Sequence, residues 1–250
     1  MSGHSHWAKI KRSKGANDAK RGRVWSKLAR RIIVAARAGG GNPDENLTLR
    51  YSIEEAREEN MPNDTIDKAI KKGTGELGVT SYEPAVYEGY GPGGVAFMVE
   101  CLTDNRSRTA PEIRKIFERG GGQLGATNCV AWMFEQKGSF VVSAEDTDED
   151  SLMELALDAG ADDVIRDGDF FQVTCQPGKY AAVKQALEAK KIPTVSGEIT
   201  MIPKTSVPLE EEKARKAINL SEAFEENEDV QKVYANFDLP EEVLAEMDKK

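Results

Sequence analysis

DDVIRDGDFFQVTC, residues 162–175, decides the fold. Two short runs rich in β-forming residues flank Asp167-Gly168. Asp-Gly between such runs signals a two-residue hairpin, because glycine takes the positive φ that the turn needs. A helical stretch lies on each side, at 148–159 and 178–190. Beyond each helix lies one more strand, SFVVS at 139–143 and VSGEITMI at 195–202. The order strand, helix, strand, strand, helix, strand is the ferredoxin-like split βαβ arrangement.

Further outward the pattern repeats in broken form. YEPAVYEGY and VAFMVECL read as two strands around the Gly-Pro-Gly-Gly turn at 91–94, with Pro84 placing the first at an edge. A helix capped by Thr109, with Glu112 at the capping-box position, ends at Gly120-Gly121-Gly122. CVAWMFEQ at 129–136 reads as a strand, with Trp132 packed in a core. After Pro203 and Pro208, a helix at 209–226 and a strand at 229–236 complete the sheet begun at residue 82. On this reading 138–203 is an inserted ferredoxin-like βαββαβ domain, and 79–137 with 204–250 form a discontinuous α/β domain. Residues 1–78 form a basic arm and a helical domain. The expected class is α+β, an N-terminal three-helix bundle plus two α/β domains, one inserted into the other.

In the helical domain, residues 18–38 place Val24, Trp25, Leu28, Ala29, Ile32 and Ala36 on one face. Arg23, Lys27, Arg30, Arg31 and Arg37 fall on the other. Gly39-Gly40-Gly41 stops this helix. Asn42, Pro43 and Glu45 suit the cap, first position and capping box of a second helix running to about Asn60. A third spans Pro62 to Lys72 and stops at Gly73.

The formal charge of −9 is segregated. Residues 1–37 carry eleven Lys or Arg against one Asp, +10, and the remainder carries 23 against 42, −19. A basic end on an acidic body suits a polyanion contacted at one end only. Residues 138–203 hold thirteen acids and five bases, which makes the insertion a poor RNA platform and a better protein-facing or structural module. No apolar run approaches the roughly 20 residues of a membrane helix. No secretory leader is recognisable, so a cytoplasmic location is expected.

Enzyme chemistry finds no footing. GYGPGG at 89–94 matches a dinucleotide-binding spacing, but a strand follows it where that site needs a helix. The triple glycines lack the Lys-Ser/Thr ending of a phosphate-binding loop. His4 and His6 have no Cys, Asp or Glu within the next ten residues to complete a metal site, and Cys101, Cys129 and Cys175 fit no compact metal spacing. The expectation is no enzyme, no cofactor and no metal.

Nucleic acid is the expected partner. Lys9, Lys11, Arg12, Lys14, Lys20, Arg21 and Arg23 are candidate phosphate contacts, continued along the first helix by Lys27, Arg30 and Arg31. Trp7 either stacks on an unpaired base or pins the arm to the bundle. TDNRSRT at 103–109 is a secondary candidate, where Asn105, Arg106 and Arg108 hold an anion at a helix N-terminus or make local turns and ion pairs.

GHSHWAKIKRSKGANDAKRGRVWSKLARRI, AARAGGGNPDEN, NMPNDTIDKAIKKGTGE, YEGYGPGGVAFMVECLTDNRSRT and GGQLGATNCVAWMFEQKG are similar to successive signatures of the YebC family. The resemblance implies a helical N-terminal domain followed by two α/β domains, one inserted in the other. It also implies a regulator of gene expression. Family members are usually described as probable DNA-binding transcriptional regulators. A mitochondrial relative is a translational activator, and bacterial members are linked to ribosomes stalled on proline-rich chains. It carries over Lys9, Lys11, Lys14, Lys20, Arg21 and Lys27 as nucleic-acid contacts. Two positions depart from the pattern: His6 stands where Lys is usual, and Cys129 where Ser is common. The leading expectation is a ribosome- or rRNA-associated translation factor. A DNA-binding transcriptional regulator is the alternative. A factor binding an acidic protein partner, with a further protein contact at the acidic α/β domains, is the third reading.

Overall fold

The computed structural model of the chain describes residues 18–78, 81–240, 242–243 and 246, and side chains from Arg21 onward. Helix α1 (Asp18–Gly39) packs its apolar face on α2 (Leu47–Glu58) and α3 (Asn63–Thr74). Leu28, Ile32, Ile33, Ala36, Leu49, Ile53, Ala56 and Ile66 are buried between them. The α1 boundaries agree with its periodicity.

The next two helices start and stop where packing, rather than the nearest cap signal, dictates. α2 begins four residues after Pro43, with Asn46 as the cap: its Oδ1 accepts the Leu49 N–H at 3.1 Å. Its Nδ2 donates to the Ala35 and Gly40 carbonyls, tying the end of α1 to the start of α2. Residues 43–45 are a turn around Asn42. Gly73 lies inside α3, which stops at Gly75 in the left-handed conformation (φ 89°). A Cβ on Gly73 would sit 2.6 Å from both Ala36 Cβ and the Ile33 carbonyl oxygen. Gly73→Ala should therefore destabilise the protein by about 1–3 kcal/mol, despite the better helix propensity of alanine. Urea unfolding reads this directly, and a stabilised variant would overturn it.

The first sheet has the order β3-β1-β2-β9, built from β1 (Glu83–Tyr90), β2 (Ala96–Thr103), β3 (Gln123–Leu124) and β9 (Val230–Ala235). β3 pairs only with Gly89 and Tyr90, so Pro84 stays on an unpaired side of β1. One face is covered by α4 (Arg106–Arg119) and α7 (Glu211–Glu225). Phe97, Phe117 and Phe224 meet there edge-on or tilted, with ring centroids 4.7–6.4 Å apart. A short parallel pair, β8 (Val207–Pro208) and β10 (Phe237–Asp238), closes this end of the fold.

The second sheet has the order β5-β6-β4-β7, all antiparallel. Its strands are β4 (Phe134–Ser143), β5 (Ala161–Asp167), β6 (Phe170–Cys175) and β7 (Thr194–Pro203). α5 (Glu149–Asp158) and α6 (Tyr180–Ala189) cover one face, around Phe140, Val142, Leu152, Phe171, Val173 and Leu187. This is the ferredoxin-like order, and the hairpin turns at Gly168 (φ 59°) as its sequence predicts.

β4 is longer than SFVVS suggests. Its start, Phe134, packs with Ala96 and Met98 on the second face of the first sheet, together with Met201 of β7. Its later residues, Phe140 and Val142, belong to the core of the second sheet.

Among the described residues no helix is long and apolar enough to cross a membrane. All three cysteines are free, Cys101 and Cys175 fully buried. Burial, reinforced by Asp229, pushes the Cys101 thiol up to about 12.

Candidate nucleic-acid interface

Lys9, Lys11, Arg12, Lys14 and Trp7 lie outside the described residues, as does the side chain of Lys20. His4 and His6 lie outside them too. Arg21 is exposed and Arg23 half-buried on the first turns of α1.

Further along α1 the cations turn inward to the protein's own acceptors. Lys27 Nζ donates to the Glu225 carbonyl at 2.7 Å, at the end of α7. Arg30 donates from Nη1 to Asp229 Oδ1 at 2.8 Å and to the Glu228 carbonyl. Its guanidinium also stands 5.3 Å from the centre of the Tyr82 ring, and its side chain is only 13% exposed. Arg31 Nη1 pairs with Glu55 Oε1 of α2 at 2.6 Å. These three residues hold the helical unit against the first sheet and against α2.

Asp229, just before β9, is the centre of that contact. Its carboxylate is 3% exposed. Oδ1 takes Arg30; Oδ2 accepts from Arg108 Nη2 at 2.7 Å and from Thr109 Oγ1 at 2.6 Å. Thr103 Oγ1 is 2.6 Å from Thr109 Oγ1 and accepts the Asn105 N–H, extending the chain of bonds. Burial pushes the Asp229 pKa up, but donation from Thr109 and Arg108 and the charges of Arg108 and Arg30 outweigh it. The carboxyl therefore ends below its ordinary value.

The secondary anion candidates are also engaged internally. Asn105 caps α4, its Oδ1 accepting the Arg108 N–H at 3.2 Å. Thr109, expected as that cap, is instead buried within α4, where it reaches Asp229. Arg106 pairs with Glu83 at 3.1 Å and donates to the Pro84 carbonyl. Arg108 pairs with Asp104 at 2.9 Å as well as with Asp229. Its pKa is raised above the ordinary arginine value, chiefly by the bond to Asp229.

Two features escaped the sequence reading. Residues 131–133 form a 3-10 turn rather than a strand, and Trp132 is 65% exposed rather than packed in a core. Glu88, fully buried in β1, organises this loop. Its Oε1 accepts the Asn128 N–H, and its Oε2 accepts those of Val130 and Ala131, each at 2.8 Å. Asn128 takes φ 65° to make this possible. Trp132 Nε1 and Tyr90 Oη then donate to one acceptor, the Cys129 carbonyl, at 3.1 and 3.2 Å. The polar Glu88 between Val86 and Tyr90 was the available signal. A buried carboxylate in a strand must find donors.

Among the described residues no group of three or more His, Cys, Asp or Glu could hold a metal ion.

Comparison with known proteins gives one consistent result. Residues 5–76 match the family model for the TACO1/YebC protein N-terminal domain, and 82–237 that for the TACO1/YebC second and third domain. A probable transcriptional regulatory protein of Desulforapulum autotrophicum is 50% identical, covering 99% of this chain and 100% of its own. One of Pelotomaculum thermopropionicum is 54% identical, covering 96% and 99%. The crystal structure of a conserved hypothetical protein from Aquifex aeolicus superposes with a TM-score of 0.80 at 47% identity, covering 91% of this chain and 94% of that one. With both family models matched and half the residues shared along nearly the whole length, the chain belongs to the TACO1/YebC family.

Proposed function

We propose that this protein is a non-enzymatic, cytoplasmic regulator of gene expression that grips nucleic acid with its basic N-terminal end. Its target in this reading is structured RNA at the ribosome. The observation that carries the reading is charge segregation, +10 over residues 1–37 against −19 over the rest. Phosphate contacts belong to Lys9, Lys11, Arg12, Lys14, Lys20, Arg21 and Arg23, with Trp7 beside them. Lys27, Arg30 and Arg31 enter as anchors that aim α1, since their polar groups meet Glu225, Asp229 and Glu55. The division into residues 1–78, a discontinuous 79–137 with 204–250, and an inserted 138–203 is part of the same proposal.

An α1 whose basic face is occupied by the end of α7, by Glu228 and Asp229 and by Glu55 of α2 is poorly suited to lie in a major groove as a recognition helix, which favours RNA. The names of the relatives favour the second reading, a DNA-binding transcriptional regulator.

Titration of rRNA fragments and duplex DNA over a range of salt decides between them. Affinity for the true target should fall by about 0.7–0.9 log units per phosphate contact for each tenfold rise in salt. Changing Lys9, Lys11, Lys14, Arg21 and Arg23 together to Ala should flatten that slope by about 3.5–4.5 and leave thermal stability nearly intact. Binding that ignores salt, or an unchanged slope in the variant, would sink the proposal. Ribosome sedimentation with and without these cations separates the translational reading from the transcriptional one.

A further inference from the structure

The loop after β3 is built around a buried charge, yet its product is an exposed aromatic surface. Glu88 spends both carboxylate oxygens on three backbone N–H groups, so residues 128–131 are held rigid. The polar atoms of Trp132 and Tyr90 are bonded to the Cys129 carbonyl. What the two rings offer outward is therefore apolar π-surface, 65% and 38% exposed, with Val86 at 48% two positions along the same face of β1. Fixing a tryptophan in this way removes the entropy that a partner would otherwise have to freeze.

The surroundings suit a polyanion. Stretches 89–99, 120–134 and 199–209 meet at this end of the first sheet and contain no Asp or Glu, the exposed acids beginning at their edges with Glu135 and Glu210. Lys204 is exposed, and its N–H donates to the Met133 carbonyl, next to Trp132. The Lys213 stem runs beside the Gly-Pro-Gly-Gly turn that follows Tyr90. This is also the end of β1 and β2 remote from Asp229, whose carbonyl accepts the Leu102 N–H. Eight residues of β1, at about 3.3 Å each, put roughly 25 Å between the two ends.

We propose that Trp132 and Tyr90 form a stacking platform for unpaired nucleobases, with Lys204 and Lys213 meeting the adjoining phosphates. The proposal rests on the nucleic-acid reading above and adds a second contact, of a different kind, at the far end of the sheet. It confines that contact to single strands, because paired bases in a duplex offer no free face to an aromatic ring. Stacking is worth enough per base to be measurable, and it tolerates sequence.

The test uses the full chain with a single-stranded RNA, the matching single-stranded DNA, an abasic strand with the same phosphates, and duplex DNA. Trp132→Ala should weaken binding to both base-bearing single strands by roughly 5- to 100-fold. It should leave the salt slope and duplex binding unchanged, whereas Trp132→Phe retains most of the affinity. The wild-type protein should bind the abasic strand about as weakly as Trp132→Ala binds the intact one. A preference for RNA over the DNA strand identifies the source of the bases. Should the arm reading fail, changing the arm cations leaves the wild-type slope unaltered while Trp132→Ala still discriminates. Equal binding of abasic and intact strands by the wild-type protein overturns the platform, and so does unaltered binding by Trp132→Ala. Either result leaves this face to a protein partner. Absence of any strand binding overturns both proposals.

Discussion

Asp229→Ala should be strongly destabilising. It removes one carboxylate and takes an acceptor from three donors, Arg30, Arg108 and Thr109, which keep Glu228, Asp104 and the Asn105 carbonyl. Arg30 is the decisive one. Its side chain is almost enclosed, so water cannot fully replace the lost partner. Breaking a buried ion pair from one side costs about 3–5 kcal/mol. At this chain length that lowers the melting temperature by roughly 10 °C. The loss should appear in thermal or urea unfolding, and a change within about 0.5 kcal/mol would refute the role assigned to Asp229. The same carboxylate gives a pH signature. Its pKa in the folded protein is depressed. Its contribution is therefore fully present above the unfolded value, about 3.9, and disappears as pH falls below that through the folded value. In Asp229→Ala this acid-side loss should shrink.

Glu88→Ala is the second large effect. Val130 is wholly buried, so its N–H loses its acceptor with no water to take over, and Ala131 is half-buried. Asn128 is exposed and can turn to solvent. An unsatisfied buried donor costs about 1–3 kcal/mol, which sets the expected loss at about 2–4 kcal/mol. Glu88→Gln keeps one oxygen but points an amide N–H at a backbone N–H, so it should recover only part of that. Hydrogen exchange at Val130 and Ala131 should accelerate in both variants. Unchanged protection there would show that the loop holds its shape without the carboxylate. Because Trp132 and Tyr90 hang on the Cys129 carbonyl, Glu88→Ala should also loosen both rings, visible in near-ultraviolet circular dichroism.

The order of elements was legible because the signals were local. Asp167-Gly168 fixes a hairpin by backbone geometry alone, and the split βαβ order follows from the periods on either side. Helix α1 was legible from its apolar stripe. Errors arose where a distant group decided the outcome. Asn42 looked like a cap, but Asn46 reaches the carbonyls of Ala35 and Gly40 and wins. Gly73 looked like a stop, but its bare backbone is needed for contact with α1. Thr109 looked like a cap, but a carboxylate 120 residues away claims its hydroxyl. Trp132 looked like a core residue because apolar neighbours surround it in sequence. The carboxylate that turns its loop outward lies across the sheet. The basic face of α1 was read correctly as a face. What it meets depends on Glu225, Glu228 and Asp229, which no spacing near residue 30 foretells.

The length of β4 has a mechanical meaning. Its ladder with β7 begins beneath the first sheet, at Phe134 and Met201, and runs into the core of the second at Phe140, shifting register only between Val141 and Val142. Lys232 of β9 donates to Glu198 of β7 and braces the joint from the side. The second sheet is thus mounted on a pair of bonded strands rather than a tether. A push on its acidic surface would be delivered as torque to the floor beneath Tyr90 and Trp132 instead of being absorbed by a swivel.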